Sequence, residues 1–463
     1  EAAGVLRDTA AIRTPFYVVD ETLLKKNLEI LKDTAERAGC RILLAQKAFS
    51  MYSVYPLIRQ YLSGTAASGL YEARLGKTEF GGETHVFSAT YRPDEFDEIL
   101  NYADHIVFNT PGQVLKYGEK VKKEANLKSH KEAFEILVDE LVSNNIVTDL
   151  NEIKGIGHRI VQGGSYFDKT VVVDEDVISK IDELSALAPL HNPAAIVGIR
   201  AAQSVFKEAT QTVVFDTAFH QTMKEETYLY ALPYEWCDEY KIRRYGAHGT
   251  SHKYIAAKMS EILGRTNTKL ITCHIGNGAS ISAIKDGLCV NTSMGLTPNA
   301  GLIMGSRSGD IDATIVPYIM EKTGMTPKEM DHVLNKESGL LGISGVSSDS
   351  RDIEEGIKDG NERCLLAQKM FVRRIVDYIA KYYVELEGCD AIIFTAGIGE
   401  NSKSTRREVI DALNVLGIKI DEERNNTRGC VALISSDSSS VPVYVVPTDE
   451  ELMIARDTYN LAK

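Results

Sequence analysis

The sequence predicts an α/β protein built from two regions that meet near residues 124–127. Residues 14–123 alternate between short apolar strands and helices with helical apolar spacing, a pattern typical of parallel βα units. After the polar stretch 118–134, the pattern changes to strands with glycine turns, hairpins and longer helices. We therefore divide the chain into residues 1–124 and 125–463.

The first region contains four or five βα units. Its opening strand "TPFYVVD" (14–20) precedes a helix over 21–39, in which Leu24, Leu28 and Leu31 recur at helical spacing. The remaining elements, in order, are strand 41–49, helix 53–62, strand 64–69, helix 70–79, strand 84–90, helix 93–103, strand 105–110 and helix 111–123. Because a closed (β/α)8 barrel needs eight units, the pattern predicts either an open sheet or a partial barrel. The second region begins with a predicted helix at 129–143.

Composition and charge limit the classes of function. A chain of 463 residues with 44% hydrophobic and 25% charged residues is typical of a globular protein of two or three domains. The net charge of -13 argues against nucleic-acid binding, which needs surplus Lys and Arg. No apolar run approaches the length of a membrane span. The seven cysteines are widely spaced and odd in number, which favours reduced thiols and a cytoplasmic location.

Glycine-rich turns mark the second region. In "KLITCHIGNGASISAI" (269–284), two apolar strands flank a turn at Gly276–Gly278. A second glycine loop, "FTAGIGENS" (394–402), follows an apolar strand, and "MGSRSGDIDATI" (304–315) places charged residues in another turn. Such turns let backbone N–H groups approach a phosphate closely. Each turn is also common without a ligand, so alone it is weak evidence for a nucleotide site.

Histidines and one acid are concentrated in short segments. His191, Asp216, His220, His248 and His252 lie near Gly, Pro or Asn residues. Their concentration favours a functional site, although a single histidine is more often structural. The spacing of the last two histidines suits zinc, but no HExxH motif or cysteine pair supports a metal role.

Taken together, stretches of the second region resemble the acetate kinase family, of the sugar kinase/actin/Hsp70 superfamily. The matching stretches are "GHRIVQGG", "LAPLHNP", "VFDTAFHQTM", "YGAHGTSHKY", "CHIGNGASI", "NTSMGLTPNAGLIMGSRSGDID", "SGVSSDSRD", "FTAGIGENS" and "PTDEELMIARDTY". They cover essentially all of 127–463. The resemblance implies a two-lobed α/β fold, reversible ATP-dependent phosphorylation of acetate with Mg²⁺, and a homodimer. No nucleic-acid or membrane partner is expected.

The resemblance also implies roles for individual residues. Catalytic roles fall on Asp216, His248 and Arg307. The carboxylate substrate would contact Arg159, Val161, Leu190, His191 and Pro298. ATP would contact His274, Asn277, Gly278, Asp349, Arg351, Gly397 and Gly399. Glu450 would hold Mg²⁺ through its water shell.

Two departures from the family pattern matter. The family has Y-G-F-H-G where this chain has Ala247, which predicts a wider acyl pocket open to propionate or butyrate. The family's first strand and its N-x-G-S-S-S-x-K phosphate turn have no counterpart in residues 1–126.

The first region resembles the start of carboxynorspermidine decarboxylase, a pyridoxal-phosphate barrel enzyme. The resemblance lies in "TPFYVVDETLLKKNLEIL", "RILLAQKAFS" and "SGLYEARLG", and it covers about the first third of such an enzyme. It implies that Lys47 matches the lysine that forms the Schiff base with pyridoxal phosphate. Three functions therefore stay open: an acetate kinase, a pyridoxal-phosphate decarboxylase, and an inactive chimera of two gene fragments.

Overall fold

The computed structural model describes residues 19–88, 90–108, 113, 117, 130–143, 146–189 and 191–463. The chain divides into two compact units, Glu1–Asn126 and Leu127–Lys463, and each is described by itself. Most of the predicted strand 14–20 and of the predicted helix 111–123 lies outside the described residues.

The first unit holds a four-stranded sheet in the order β1-β2-β3-β4, and all three pairings are parallel. The strands are β1 (Leu43–Ala45), β2 (Gly64–Ala67), β3 (Glu83–Phe87) and β4 (His105–Val107). The α-helices are α1 (Glu21–Ala38), α2 (Tyr55–Ile58), α3 (Leu70–Leu75) and α4 (Pro93–Leu100). The predicted parallel βα pattern is therefore confirmed for these four strands.

Local signals explain the best-predicted helix of this unit. Asp20 caps α1 by accepting hydrogen bonds from the backbone N–H groups of Thr22 and Leu23, and Gly39 ends the helix in the left-handed conformation. The strands are shorter than predicted. β1 ends at Ala45 because the next residues form a turn, in which the N–H of Ala48 donates to the carbonyl of Ala45.

The second unit contains two sheets. The three-stranded sheet has the order β5-β7-β6, with β5 and β7 parallel, and the six-stranded sheet has the order β10-β9-β8-β11-β13-β12. The strands are β5 (Gly155–Ile160), β6 (Val171–Val172), β7 (Thr210–Phe215), β8 (Lys269–Ile275), β9 (Ala279–Lys285), β10 (Leu288–Thr292), β11 (Ala391–Thr395), β12 (Ala432–Leu433) and β13 (Val443–Val445).

Helices surround these sheets. The shorter ones are α6 (Glu175–Glu183), α8 (Glu225–Tyr228), α9 (Glu235–Tyr240), α11 (Ile315–Thr323), α12 (Pro327–Lys336), α13 (Gly339–Ser344), α14 (Ser350–Lys358), α16 (Ala396–Asn401) and α17 (Lys403–Ala412). The longer ones are α5 (His130–Ser143), α7 (Asn192–Val205), α10 (Gly249–Leu263), α15 (Glu362–Glu385) and α18 (Glu450–Leu461). Among the described residues, no helix is both long and apolar enough to cross a lipid bilayer.

Two features of the core position the site. β8 and β11 are buried almost throughout, as expected for central strands covered on both faces, and they carry the glycine loops at their carboxyl ends. On the smaller sheet, α18 packs closely against β5 at Gly157. A Cβ at this position would clash with the side chains of Ile454 and Thr458, so the close approach depends on glycine. This close packing brings the first turn of α18 to the end of β5.

A buried arginine in α17 holds together several loops of the second unit. Arg406 is fully buried, and its guanidinium donates to the side chain and carbonyl of Asn425 and to the carbonyls of Gly399 and Thr427. Arg406→Leu leaves these acceptors unpaired, so we expect a loss of about 2–4 kcal/mol in the free energy of unfolding, measured by urea denaturation. The matched control Arg407→Leu removes an exposed guanidinium and should cost less than about 1 kcal/mol. Equal losses in the two variants would contradict a structural role for Arg406.

Candidate active site

Arg159 and Asp216 form the base of the site at the carboxyl ends of β5 and β7. The Nε and Nη2 atoms of Arg159 donate to the two carboxylate oxygens of Asp216, both at 2.8 Å. Asp216 is buried, whereas 44% of the Arg159 side chain is exposed. The bidentate pairing raises the pKa of Arg159 and fixes the plane of its guanidinium. The exposed edge of Arg159 is therefore presented in one orientation.

Glu450 lies beside this pair at the start of α18. Its Oε2 is 3.5 Å from Nη1 of Arg159. Burial raises the pKa of Glu450, although the positive charge of Arg159 acts in the opposite direction. Two carboxylates, Glu450 and Asp216, thus share one guanidinium and leave a local excess of negative charge.

His248 is held in a strained backbone conformation directly before α10. Its φ of 60° lies in the left-handed region, which is uncommon for a residue with a side chain and costs roughly 1 kcal/mol or more. The next residue explains the strain, because the N–H of Gly249 donates to the carbonyl of Asp216 at 2.8 Å. A Cβ at Gly249 would clash with that carbonyl. Asp216 therefore anchors both Arg159 and the turn that carries His248.

A chain of hydrogen bonds behind His248 leads into the core. Nδ1 of His248 is 2.9 Å from Oγ of Ser280, which is 2.8 Å from Nε2 of His252, whose Nδ1 is 2.7 Å from Oγ1 of Thr272. Oγ1 of Thr272 also lies 3.4 Å from the carbonyl of Ser282. Because each hydroxyl has one proton, the direction in which this chain donates decides which nitrogen of His248 is protonated.

His274 packs against His248 from β8. The two rings stack with centroids 4.1 Å apart, and Nδ1 of His274 is 2.8 Å from Oγ of Ser251. Burial, followed by the charge of Arg159, lowers the pKa of His274 to about 3. Burial and the neighbouring histidines also hold the pKa of His248 well below its usual range. Both imidazoles are therefore neutral at pH 7.

The first glycine turn lies close to the side chains of His248 and Arg307. A Cβ placed on Gly278 would lie 3.5 Å from Nε2 of His248 and 3.7 Å from Nη1 of Arg307. A Cβ on Gly276 would lie 3.9 Å from the backbone nitrogen of Gly397 in the second glycine loop. The two loops predicted from the sequence are thus brought together around one space.

Arg307 is a cation without a carboxylate partner within the part of the chain that the structure describes. Its Nη1 donates to the carbonyl of Pro298 at 3.3 Å and lies 3.8 Å from Sδ of Met304. Burial lowers the pKa of Arg307, which means that its charge is incompletely solvated. A half-buried guanidinium that forms no ion pair among the described residues is suited to bind an anion.

The remaining residues that the resemblance assigns to ATP differ in their surroundings. Gly397 faces open space, whereas Gly399 packs against the backbone of Phe394 and Cys273. Asp349 caps α14 and is held by the side chain of Arg351, which lowers the pKa of the carboxyl. Asn277, in the first glycine turn, is exposed, and its carbonyl accepts from the backbone N–H of Gly305 at 3.1 Å.

On the predicted acyl side, His191 is exposed at the start of α7, and partial loss of hydration and the charge of Arg307 lower its pKa. Val161 and Pro298 are half-buried, and Leu190 lies outside the described residues. Ala247 is only 3% exposed, and its carbonyl lies 3.0 Å from Nε2 of His220.

The structure adds residues that the sequence did not single out. Ser280 and Thr272 connect His248 to the core, and Gly249 fixes its backbone. A serine or threonine in a strand carries no distinctive signal, so only the glycine after His248 could have been noticed. Lys47, predicted to be the cofactor lysine of the first unit, is exposed in the turn after β1.

The buried histidines predict a pH dependence of stability. His220, His248, His252 and His274 all have lowered pKa values because burial disfavours the charged ring, with His220 at about 4. As pH falls through about 6.5, the unfolded chain binds protons that the folded protein cannot. Stability is therefore complete above pH 6.5 and falls below it, by up to about 1.4 kcal/mol per pH unit for each histidine.

Urea unfolding at pH 7.5, 6.5 and 5.5 tests this expectation. His220→Gln should make the decline between pH 6.5 and 5.5 shallower than in the unchanged protein. His332→Gln, at an exposed histidine, should leave the decline unchanged. Identical slopes in all three proteins would show that His220 is protonated in the folded state.

Comparison with known proteins identifies the family. The model of the acetokinase family matches residues 92–456, which begins before the predicted boundary at 124–127 and includes β4. Acetate kinases of Geobacillus kaustophilus and Bacillus subtilis are each 52% identical, over 351 and 348 residues. These alignments cover 75% of this chain in each case, and 89% and 88% of the two relatives.

Solved structures also match members of this family. An acetate kinase from Porphyromonas gingivalis aligns with a TM-score of 0.70 at 45% identity, covering 73% of this chain and 86% of that one. A propionate kinase from Francisella tularensis aligns with a TM-score of 0.68 at 45% identity, covering 71% and 84%. A carboxynorspermidine decarboxylase from Campylobacter jejuni aligns with a TM-score of only 0.24, too low to support the predicted decarboxylase fragment. The matches to kinase sequences and structures show that the chain belongs to the acetokinase family.

Proposed function

We propose that the protein transfers the γ-phosphoryl group of ATP to the carboxylate of acetate, forming acetyl phosphate and ADP, and catalyses the reverse reaction. The observation that carries the proposal is Arg307, an incompletely solvated guanidinium that, like Nε2 of His248, lies within 4 Å of the position a Cβ would take on Gly278. Arg159 is close enough to this turn to lower the pKa of His248. Two guanidiniums and a glycine loop are suited to hold two anionic reactants together.

The reaction needs positioning more than acid–base chemistry. Acetate is already ionised at pH 7, so its oxygen can attack the γ-phosphorus without a general base. The new O–P bond forms as the bond to the bridging oxygen breaks, and that oxygen leaves with ADP. Catalysis then consists of holding the reactants in line and neutralising charge in the transition state.

Arg307 would contact the transferring phosphoryl group, and Arg159 would orient the carboxylate. Arg159 is suited to this role because Asp216 already fixes the plane of its guanidinium. His191, whose pKa is lowered in part by Arg307, would support the same group. Since His248 is neutral, it would contribute a hydrogen bond rather than a charge.

A hydrogen bond from His248 requires a proton on its Nε2. That tautomer is set when Thr272 donates to His252, His252 donates to Ser280, and Ser280 donates to Nδ1 of His248. Oγ1 of Thr272 also donates to the carbonyl of Ser282 at 3.4 Å, so this direction requires the hydroxyl proton to turn to the shorter, 2.7 Å contact with Nδ1 of His252. We therefore assign Ser280 and Thr272 as positioning residues for His248.

ATP would bind where the two glycine loops meet. His274, Asn277, Gly278 and Gly397 would border the phosphates, and Gly397 has the open space that this needs. Asp349, Arg351 and Gly399 would line the nucleoside side. Gly399 would act through its tight packing on β11 rather than by touching the nucleotide.

The residues at the end of β5 fit the Mg²⁺ that the family uses. Glu450 and Asp216 supply hard carboxylate oxygens, which Mg²⁺ prefers. Burial raises the pKa of Glu450 and the charge of Arg159 offsets this only in part, so a divalent cation nearby would stabilise the carboxylate. Asp216 uses both oxygens on Arg159, so Glu450 is the residue that would hold the hydrated ion. When bound, Mg²⁺ would offset charge on the phosphate oxygens.

Acyl selectivity would depend on Val161, Leu190 and Pro298 together with Ala247. The small Ala247 is consistent with acceptance of propionate or butyrate besides acetate. A homodimer, inferred from the family resemblance, is also proposed, and light scattering of the purified chain would test it.

The two other functions stay predictions. The pyridoxal-phosphate alternative rests on Lys47, which is exposed at the end of a parallel strand, the expected place for such a lysine. An absorbance band of a Schiff base, lost in Lys47→Ala, would support it. The inactive chimera is addressed by the kinase assay below.

The kinase proposal is tested by trapping acyl phosphate with hydroxylamine. We expect product from the full chain with ATP, Mg²⁺ and acetate. Arg307→Ala should lower kcat by about 10²–10³-fold, because the lost donor faces charge that develops in the transition state. The control Arg373→Ala, at an exposed arginine paired with Asp377, should keep near-normal turnover. Soluble, folded protein without product from acetate, propionate or butyrate would favour the inactive chimera.

The acyl pocket is tested by Ala247→Phe. A larger side chain should narrow the pocket and lower kcat/KM for butyrate by about tenfold more than for acetate, given about 1–3 kcal/mol per methylene. An unchanged ratio of the two values would remove Ala247 from the pocket.

A further inference from the structure

Three potential metal ligands converge on one side of the sheet in the first unit. β3 and β4 run parallel, and their register places His85 directly opposite His105. Glu83 lies two residues before His85, and alternate residues of a strand point to the same face. Two imidazoles and one carboxylate are thus presented on one face by neighbouring strands.

Their donor atoms are close together. Nε2 of His85 is 3.1 Å from Oε2 of Glu83, and the rings of His85 and His105 stack with centroids 4.2 Å apart. One donor atom from each of the three residues lies within 4.8 Å of the other two. Ligands of one zinc ion are roughly 3–3.5 Å apart, as its bonds of about 2.0–2.2 Å require. Small side-chain rotations would therefore complete a site.

The surrounding residues leave room for an ion. On the side of β3 away from β4, Ala66 of β2 pairs with His85, and Ala45 of β1 pairs with Ala66. Gly64 of β2 pairs with Glu83 in the same way. Small side chains therefore flank the three ligands on the side of β2.

The charge at the site also suits a cation. Glu83 brings a carboxylate, and the ordinary pKa of such a group, about 4.3, leaves it ionised at pH 7. Arg41 contacts Oε1 of Glu83, and Oε2 faces His85. The Arg41 side chain is 59% exposed, so it can move away when a metal neutralises the carboxylate. Arg41 therefore acts as a competitor of the ion and is not a ligand.

We propose that Glu83, His85 and His105 form a binding site for a late first-row divalent metal, with Zn²⁺ as the best-suited ion. Two imidazole nitrogens and one carboxylate oxygen are ligands that zinc prefers, whereas Mg²⁺ and Ca²⁺ prefer oxygen alone. Three protein ligands leave one coordination position for water. None of these three residues is assigned to the kinase reaction, and the proposal does not depend on the proposed function.

Zinc binding by the metal-free full chain, measured by competition with a chromophoric chelator at pH 7.5, tests the proposal. We expect one equivalent per chain. His85→Ala and His105→Ala should each weaken binding by at least about tenfold, since loss of even an outer-shell partner has an effect of that size. His332→Ala, at an exposed histidine of the second unit, should bind as the unchanged protein does. Equal zinc affinity in all four proteins would overturn the site.

Zinc bound at exposed cysteines must be excluded, and two further measurements then test the ligands. Cys40 and Cys430 are exposed and could capture zinc, so all proteins carry Cys→Ser at both positions. Arg41→Gln removes the competitor and should tighten binding, whereas weaker binding would exclude Glu83 as a ligand. Co²⁺ should give the d–d bands of a four- or five-coordinate site in the unchanged protein and not in His105→Ala. A Co²⁺ spectrum unaffected by that substitution would overturn the proposal.

Discussion

The candidate active site depends on Asp216. Its carboxylate binds Arg159 through two hydrogen bonds, and its carbonyl accepts from the N–H of Gly249. One buried residue at the end of a strand therefore sets the orientation of a partly exposed guanidinium and the strained backbone of His248. The pair is only partly buried, so Arg159 keeps an exposed edge, and the desolvation that makes fully buried ion pairs costly is limited.

Each of the two sheets of the second unit supplies part of the candidate site. The smaller sheet supplies Arg159 and Asp216 from its parallel strands, and α18 adds Glu450 because Gly157 lets the helix approach. The larger sheet supplies His274 and both glycine loops from the ends of β8 and β11. Ligand sites at the carboxyl ends of strands are usual in α/β folds, because backbone groups are left without strand partners there.

The sequence predicted the elements with clear local signals. The spacing of Leu24, Leu28 and Leu31 predicted α1 within one residue of each end. The alternation of strands and helices predicted the parallel sheet of the first unit. Strand ends were less certain, because β1 stops where a turn after Ala45 competes with further pairing, and nothing in the apolar run signals that turn.

The site residues were accessible mainly through family resemblance. Composition and spacing could not show that Arg307 would approach His248, because 59 positions separate them along the chain. Ser280 and Thr272 were missed, since a hydroxyl on a buried strand looks like any other strand residue. His85 and His105 were also missed, because their proximity depends on the register of two strands that only the three-dimensional structure reveals.

Because the buried histidines are neutral, acid affects the hydrogen bonds of the site and the stability of the fold differently. A kinase acting on carboxylic acids meets acidification whenever those acids accumulate. His248 and His274 would keep their protonation state well below pH 6.5, so the hydrogen bonds they offer to substrates would not change. The folded state, in contrast, loses stability over that same range. Loss of activity in acid would therefore come from unfolding of the domain and from protonation of Glu450, whose pKa is raised by burial, rather than from these two histidines.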